Sequence, residues 1–307
     1  MHIDISFVIT VFNKQNELSA TIKSIKRQTS NIICEYIFID DVSKDDSIRI
    51  IEESFSLEEN YTIIHNNKNA GPSIRLNQGC NLATGKYLCL IDSDDIMADG
   101  ALELMLSAIK KENANFLFGF QQKTDKTQTE LLRIKLDAKT SYQVSNNPLD
   151  TVLSGKYVRM AYIVSKELYT KSGGCDERIF IQDESLPLRL AYNANKLISL
   201  NTPALYAPKS EQSLSSNKSQ QWHDRFYVYY FALSEFFGLS TKQKTKLYKQ
   251  AIATIWKAKK NNSNFLQKIS FFLFYLRVKI LAQQSNIKAL EQHKKFIDSL
   301  ENVRKIH

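Results

Sequence analysis

Short, continuous apolar runs recur along the first 120 residues. They are ISFVITV at 5–11, EYIFI at 35–39, YTII at 61–64, YLCLI at 87–91 and FLFGF at 116–120. Runs of this length, rich in β-branched and aromatic residues, suit strands buried on both faces. The stretches between them have helical spacing. Leu18, Ile22 and Ile25 share one face, as do Leu102, Leu106 and Ile109. Pro72 is a good first-turn residue for a helix carrying Ile74, Asn77, Gln78 and Leu82. Ser43 and Asp46 read as a capping box ahead of Ile48 and Ile51. This alternation predicts an α/β fold, a Rossmann-like, mostly parallel sheet with helices on both faces. Ligands on such sheets bind beyond the carboxyl ends of the strands. The positions of interest are therefore Thr10–Asn13, Asp40–Ser43, Asn66–Gly71 and Asp92–Asp95.

The second half has a different texture. Residues 121–150 are polar without a clear period and read as a surface excursion or short hairpin. Residues 151–220 mix short runs with turn signals: Gly173-Gly174, Pro187, Pro203, Pro208 and a serine-rich 210–219. From Trp222 onward the pattern is helical. The expected division is a catalytic domain over 1–220, with halves at 1–120 and 121–220, and a helical region over 221–307.

Charge sharpens that division. The 307-residue chain has a formal net charge of +9. Residues 1–240 hold 26 Lys/Arg against 29 Asp/Glu, whereas 241–307 hold 15 against 3. An anionic partner is thus a question for the last fifth of the chain. Cys34, Cys80, Cys89 and Cys175 form no C-x-x-C pair, which argues against a zinc ribbon or thioredoxin-type site. Reduced core cysteines suit a cytoplasmic location. No secretory signal and no 18-residue apolar stretch is visible.

The strongest chemical signal is Asp92-Ser93-Asp94-Asp95, directly after the run at 87–91. Three carboxylates at the end of a buried strand are costly unless something positive binds there. Asp92 and Asp94 share a side in extended chain, and two hard oxygen ligands suit Mg²⁺ or Mn²⁺. The competing reading is a solvated turn whose Asp94 or Asp95 caps the next helix. Asp40-Asp41 ends the run at 35–39; it suits a base N–H or ribose hydroxyls, or else helix capping. Gly85-Lys86 does not make a phosphate loop, because it enters a strand and Tyr87 replaces the required Ser/Thr. There is no G-x-G-x-x-G, H-E-x-x-H or G-x-S-x-G, and His65, His223 and His293 are scattered.

Four segments, in order, resemble the family 2 glycosyltransferases, which have the GT-A fold. They are ISFVITVFNKQNELSATIKSIKRQT, YIFIDDVSKDDS, NKNAGPSIRLNQGCNLATGKYLCLIDSDD and FIQDESLPLRL. The resemblance implies a nucleotide-diphospho-sugar donor, with Thr10, Phe12 and Asn13 at the base. Asp40 and Asp41 would contact base and ribose. Asp92-Ser93-Asp94 matches the D-x-D motif, with Asp92 near the ribose and Asp94 on Mg²⁺ or Mn²⁺; Asp95 would neighbour the sugar or a metal-bound water. Asp183 matches the general base, or Glu184 if the register slips by one.

There are departures. Thr10-Val11-Phe12 stands where a proline, a small residue and tyrosine are usual, and Arg75 is one position early. Gln182 replaces the usual Glu before the base, and Q-x-x-R-W is absent, which argues against a processive synthase. The implied activity is an inverting, metal-dependent transfer of one sugar to a hydroxyl of a surface glycan such as lipopolysaccharide or capsule. The alternatives are a nucleotidyltransferase making a nucleotide-sugar, or a non-catalytic membrane-associated scaffold.

Residues 264–282, NFLQKISFFLFYLRVKILA, place Phe265, Ile269, Phe272, Leu273, Leu276 and Leu281 near one helical face among cations. Such a helix suits an anionic membrane surface on the cytoplasmic side. It equally suits packing on the catalytic domain or on a second subunit. No nucleic-acid motif is present.

Overall fold

The computed structural model describes residues 3–28, 32–155, 161–208, 216–262, 264–280 and 285–305. The first half alternates as the pattern requires. In order come β1 (Ile5–Val11), α1 (Leu18–Lys26), β2 (Cys34–Asp40), α2 (Ser47–Ser54), β3 (Tyr61–His65), α3 (Pro72–Leu82) and β4 (Tyr87–Ile91). Then follow β5 (Ile96–Met97), α4 (Ala101–Lys111), β6 (Phe116–Phe118), β7 (Gln121–Thr124), α5 (Gln128–Leu131), β8 (Tyr142–Ser145) and α6 (Pro148–Ser154). After these come β9 (Ala161–Ser165), α7 (Lys166–Lys171), α8 (Gln182–Asn193), β10 (Leu197–Leu200) and β11 (Leu205–Pro208). The chain ends in α9 (Lys218–Glu235), α10 (Thr241–Asn262), α11 (Phe265–Ile280) and α12 (Ile287–Asp298).

Eight strands form one sheet in the order β3-β2-β1-β4-β9-β6-β10-β8. β3, β2, β1 and β4 are parallel neighbours, and β6 pairs parallel with β10. β9 runs antiparallel between β4 and β6, and β8 is an antiparallel edge. The sheet is therefore mostly parallel, as expected. β4 is buried at every position and β1 at all but Thr10, which explains their unbroken apolar sequences.

Three local expectations change. The capping box at Ser43 does not form, because α2 starts at Ser47 and the Ser43 hydroxyl accepts from the Asn13 N–H instead (3.0 Å). β6 stops at Phe118, since Phe120 turns into left-handed backbone (φ 53°). Residues 121–150 are not a hairpin: β7 joins β5 and β11 in a second, three-stranded sheet, while β8 joins the main one. Most of the serine-rich 210–219, and Leu281, lie outside the described residues.

Gly85 has a structural duty. A Cβ there would sit 2.5 Å from the Ser6 hydroxyl and 2.7 Å from its backbone nitrogen. Its N–H donates to Ser6 Oγ, and the Glu35 carboxylate gathers the Ser6 hydroxyl and the Thr84 N–H and hydroxyl. Gly85-Lys86 is a strand entrance. Cys80, Cys89 and Cys175 are buried and Cys34 is half-buried, all as free thiols.

The helical region has its own core, in which Phe226, Leu247, Ile252, Ile255 and Leu290 are buried. Leu149 and Leu153 of α6, Ile179, and Leu188 of α8 belong to that same core, so the helices are seated on the second half of the sheet domain. The α11 helix is apolar on more than one side. Phe271 and Val278 face inward, whereas Ile269, Phe272, Leu273 and Ile280 are exposed. His293 packs edge-on against Phe271 beside Lys259; burial, then the lysine charge, pull its pKa down to about 4. It is a neutral packing residue.

Candidate active site

The carboxyl ends of the parallel strands open into a cavity of about 570 Å³. Thr10, Phe12 and Asn13 from the β1 end line it, with Asp41 from the β2 end and Asp92–Asp95 from the β4 end. Asp183 and Glu184, in the first turn of α8, complete the acidic side. Nearly all the residues singled out from sequence thus converge on one space. Asp40 is the exception: it is buried beneath the rim, accepts from the Ser43 N–H (3.0 Å) and is not among the lining residues.

The first two loops are stitched together. The Asn13 side chain accepts from the Lys44 N–H (2.8 Å), the Lys14 N–H donates to Ser47 Oγ (2.8 Å), and the Gln15 N–H donates to Asp45 (3.0 Å). Asn13 and Val42 both have positive φ, 52° and 71°. Left-handed backbone is costly for a β-branched residue and persists where surrounding contacts enforce it. Phe12 remains 48% exposed above this rigid base, an apolar ring presented to the cavity.

Asp41 organises the third loop. Its two oxygens accept from the Ala70 and Gly71 N–H groups (2.8 Å each) and from Arg75 Nε (2.7 Å). The pair with Arg75 is buried on both sides, so Arg75 is engaged in holding Asp41. Gly71 has φ +91°, and a Cβ there would lie 2.5 Å from the Phe180 ring. Only glycine fits both the backbone and the space.

The β4 end is short of positive charge. Asp92 is half-buried and accepts from Gln182 Nε2 (3.1 Å). Asp94 pairs with Lys14 Nζ at 2.6 Å. Asp95 is fully buried; one oxygen accepts from Gln121 of β7, and the other has no hydrogen-bond partner among the described residues. Burial and the neighbouring charges, Asp94 for Asp92 and Asp92 then Asp94 for Asp95, push both carboxyls upward. Lys14 pairs with Asp94 and Lys123 also acts on Asp92, yet the Asp92 and Asp95 carboxyls are still pushed upward, so a further cation could be accommodated there. Among the described residues no three acidic, histidine or cysteine side chains form a metal cage.

The two candidate bases differ in their surroundings. Both oxygens of Glu184 are taken by Arg225 of α9, through Nε at 2.8 Å and through NH2. Asp183 is half-buried on the cavity wall. The α9 helix also holds the loop before α8, since Asp224 accepts from the Ile181 N–H (2.8 Å). Sequence reading missed Lys14, Gln121, Arg225 and Arg304, all lining residues. Lys14 lies within a matched motif; the others come from segments without one.

Residues 6–164 match the sequence profile described as glycosyl transferase family 2. The chain belongs to that family. Among curated members, the UDP-Glc:alpha-D-GlcNAc-diphosphoundecaprenol beta-1,3-glucosyltransferase WfgD of Escherichia coli is 24% identical over 242 residues, 71% of this chain and 83% of WfgD. With three other curated relatives the match is shorter, and the chain spans 17% to 38% of their length. The solved structure of S. aureus TarS 1-349 with UDP-GlcNAc superposes with a TM-score of 0.70 at 15% identity, over 96% of this chain and 88% of that one. A mannosyltransferase of Pyrobaculum calidifontis, PcManGT, solved with GDP-Man and Mn²⁺, gives a TM-score of 0.55 at 11% identity, over 98% and 85%. The α/β architecture is thus the GT-A fold, as in TarS, with a C-terminal helical region.

Proposed function

We propose that the protein is an inverting, metal-dependent glycosyltransferase that moves one sugar from a nucleoside diphosphate donor to a hydroxyl of a growing bacterial surface glycan, carried on a lipid. The observation that supports this best is the convergence of Thr10–Asn13, Asp41, Asp92–Asp95 and Asp183 on one cavity at the carboxyl ends of the sheet. WfgD, named for a diphosphoundecaprenol-linked acceptor, is the relative that supports the acceptor class.

In this reading the rigid Thr10–Asn13 loop and Phe12 hold the base, and the Asp41-pinned loop closes on the ribose. Asp92 and Asp94 would hold Mg²⁺ or Mn²⁺, which when bound neutralises charge on the departing diphosphate. Asp183 takes the proton of the acceptor hydroxyl as its oxygen bonds to the anomeric carbon. The bond from that carbon to the nucleoside diphosphate breaks in the same displacement. A single base and direct attack from the opposite face invert the configuration. Glu184, bound to Arg225, fixes the first turn of α8 and so the position of Asp183.

A panel of UDP-, GDP- and dTDP-sugars in Mg²⁺ or Mn²⁺ tests the reading. At least one donor should release its nucleoside diphosphate, faster with a lipid-linked glycan present. Synthesis of a nucleotide-sugar from a nucleoside triphosphate and a sugar phosphate would indicate a nucleotidyltransferase instead. No turnover of any donor would leave a non-catalytic scaffold.

The α11 helix supports a second contact, with an anionic membrane surface. Its outward residues Phe272, Leu273 and Ile280 are 38%, 62% and 75% exposed, and Arg277 and Lys279 lie among them. No helix among the described residues is long and apolar enough to cross a membrane. Aromatic and aliphatic groups flanked by cations suit the headgroup boundary, each cation contributing roughly 1 kcal/mol near an anionic leaflet. Leu273→Asp/Ile280→Asp should reduce sedimentation with phosphatidylglycerol vesicles severalfold while leaving soluble-donor hydrolysis unchanged. If both proteins sediment equally, α11 is not the contact; a concentration-dependent oligomer lost in the variant would assign this face to a second copy.

A further inference from the structure

After α12 the chain turns back toward the cavity. Leu300 is buried in the helical core, and the Asn302 carbonyl accepts from Asn217 Nδ2 (2.8 Å). At residue 304 both backbone groups are held by one buried side chain. Gln220 Oε1 accepts from the Arg304 N–H (2.7 Å), and Gln220 Nε2 donates to the Arg304 carbonyl (3.3 Å). The same Nε2 donates to Asp224 (2.8 Å), the residue that holds the loop before α8. The Arg304 side chain therefore starts from a fixed point on the base side of the cavity.

From there it reaches a loop 235 positions earlier in the chain. Its two terminal nitrogens donate to the side-chain and backbone oxygens of Asn69. Its guanidinium lies over the Phe180 ring, 5.0 Å from the centroid. Asn69, Phe180 and Arg304 all line the cavity. Asn69 also donates to the Asp41 carbonyl (2.8 Å), so Arg304 rests on the loop assigned above to the donor.

The charge is what sets Arg304 apart. Arg75 has Asp41, Arg225 has Glu184, Lys14 has Asp94, and Lys123 acts on Asp92. The partners of Arg304 among the described residues are an amide, a carbonyl and an aromatic ring, none of them negative. A guanidinium has five N–H donors in a planar fork suited to phosphate oxygens. Poised by neutral groups at the edge of a cavity, it keeps its charge available to an anion. We infer that Arg304 is a donor-binding residue, delivered to the cavity by the C-terminal segment to contact the diphosphate of the nucleotide-sugar. The inference rests on the glycosyltransferase reading and adds to it a contact from outside the family-matched residues 6–164.

The test separates phosphate from nucleoside. Binding of UDP, GDP and dTDP, and of uridine, guanosine and thymidine, is measured by calorimetry in Mg²⁺ for the wild type, Arg304→Gln and Arg304→Lys. A charge-assisted contact predicts that Arg304→Gln weakens the preferred nucleoside diphosphate on the order of tenfold to a hundredfold. The matching nucleoside should bind unchanged. Arg304→Lys, which keeps the charge but not the fork, should recover part of the loss. Equal weakening of nucleoside and diphosphate would make Arg304 a strut for the Asn69 loop and overturn the inference. Unchanged diphosphate binding in Arg304→Gln would overturn it as well. If the wild type binds none of the three diphosphates, the donor reading itself fails, and this inference with it.

Discussion

Replacing Asp183 by Asn is expected to abolish sugar transfer while donor binding stays near wild type. The size follows from the role. A positioned general base contributes roughly a hundredfold to ten-thousandfold, and an amide of the same shape cannot accept the proton. The contrast with the adjacent carboxylate makes the result specific. Glu184 has both oxygens engaged by Arg225 on α9, so its lone pairs are committed to a bidentate pair. Glu184→Gln weakens that pair, leaves a half-buried guanidinium short of its counter-charge, and should lower thermal stability as well as turnover. Asp183→Asn, half-buried at the cavity wall, should melt close to the wild type. Steady-state kinetics and nucleoside diphosphate binding, measured on both variants, distinguish the two. Near-normal turnover in Asp183→Asn would remove the assignment. If Glu184→Gln alone were inactive at unchanged stability, the base would be Glu184, one position along.

The sheet was readable because its central strands are short and buried on both faces, which forces unbroken apolar sequence. β1, β2 and β4 follow their runs to within a residue. The second sheet was not readable for the same physical reason. β5 has two residues, and β7 is QQKT, exposed at two of four positions, so neither carries an alternating or continuous pattern. Ser43 misled because Ser and Asp cap helices and stitch loops with the same oxygen atoms. The candidate site divides similarly. Carboxylates at strand ends are conspicuous because burial there is costly, and Asp41, Asp92, Asp94 and Asp95 were found this way. Their partners come from distant segments: Gln121 from β7, Arg225 from α9, and Arg304 from beyond α12. No spacing rule links these positions. Asp40 shows the limit of adjacency, since consecutive residues alternate in direction and only Asp41 reaches the cavity lining.

Asp94→Ala should remove the dependence of donor binding on divalent metal without harming the fold. In the protein alone, Asp94 is one of three carboxylates crowded at the β4 end, and its charge helps push the Asp92 and Asp95 carboxyls upward. Removing it relieves like-charge repulsion on the buried Asp95 and the half-buried Asp92. The cost is the pair with Lys14, whose partners are 24% and 30% exposed, a contact worth at most about 1 kcal/mol at that exposure. Lys14 also feels the charge of Asp92, so its ammonium is not stranded. The melting temperature without metal should therefore be unchanged or slightly higher. The loss appears only when ligands bind. In the wild type, adding Mg²⁺ or Mn²⁺ should strengthen nucleoside diphosphate binding, because the ion supplies the positive charge that the carboxylates and the diphosphate both need. In Asp94→Ala that gain should shrink by roughly tenfold or more, while in chelator-treated samples the variant binds at least as well as the wild type. Calorimetric titration of UDP, GDP and dTDP with and without metal reads both arms. A metal-dependent gain that survives intact in Asp94→Ala would show that Asp94 does not hold the ion and that Lys14–Asp94 is a structural pair.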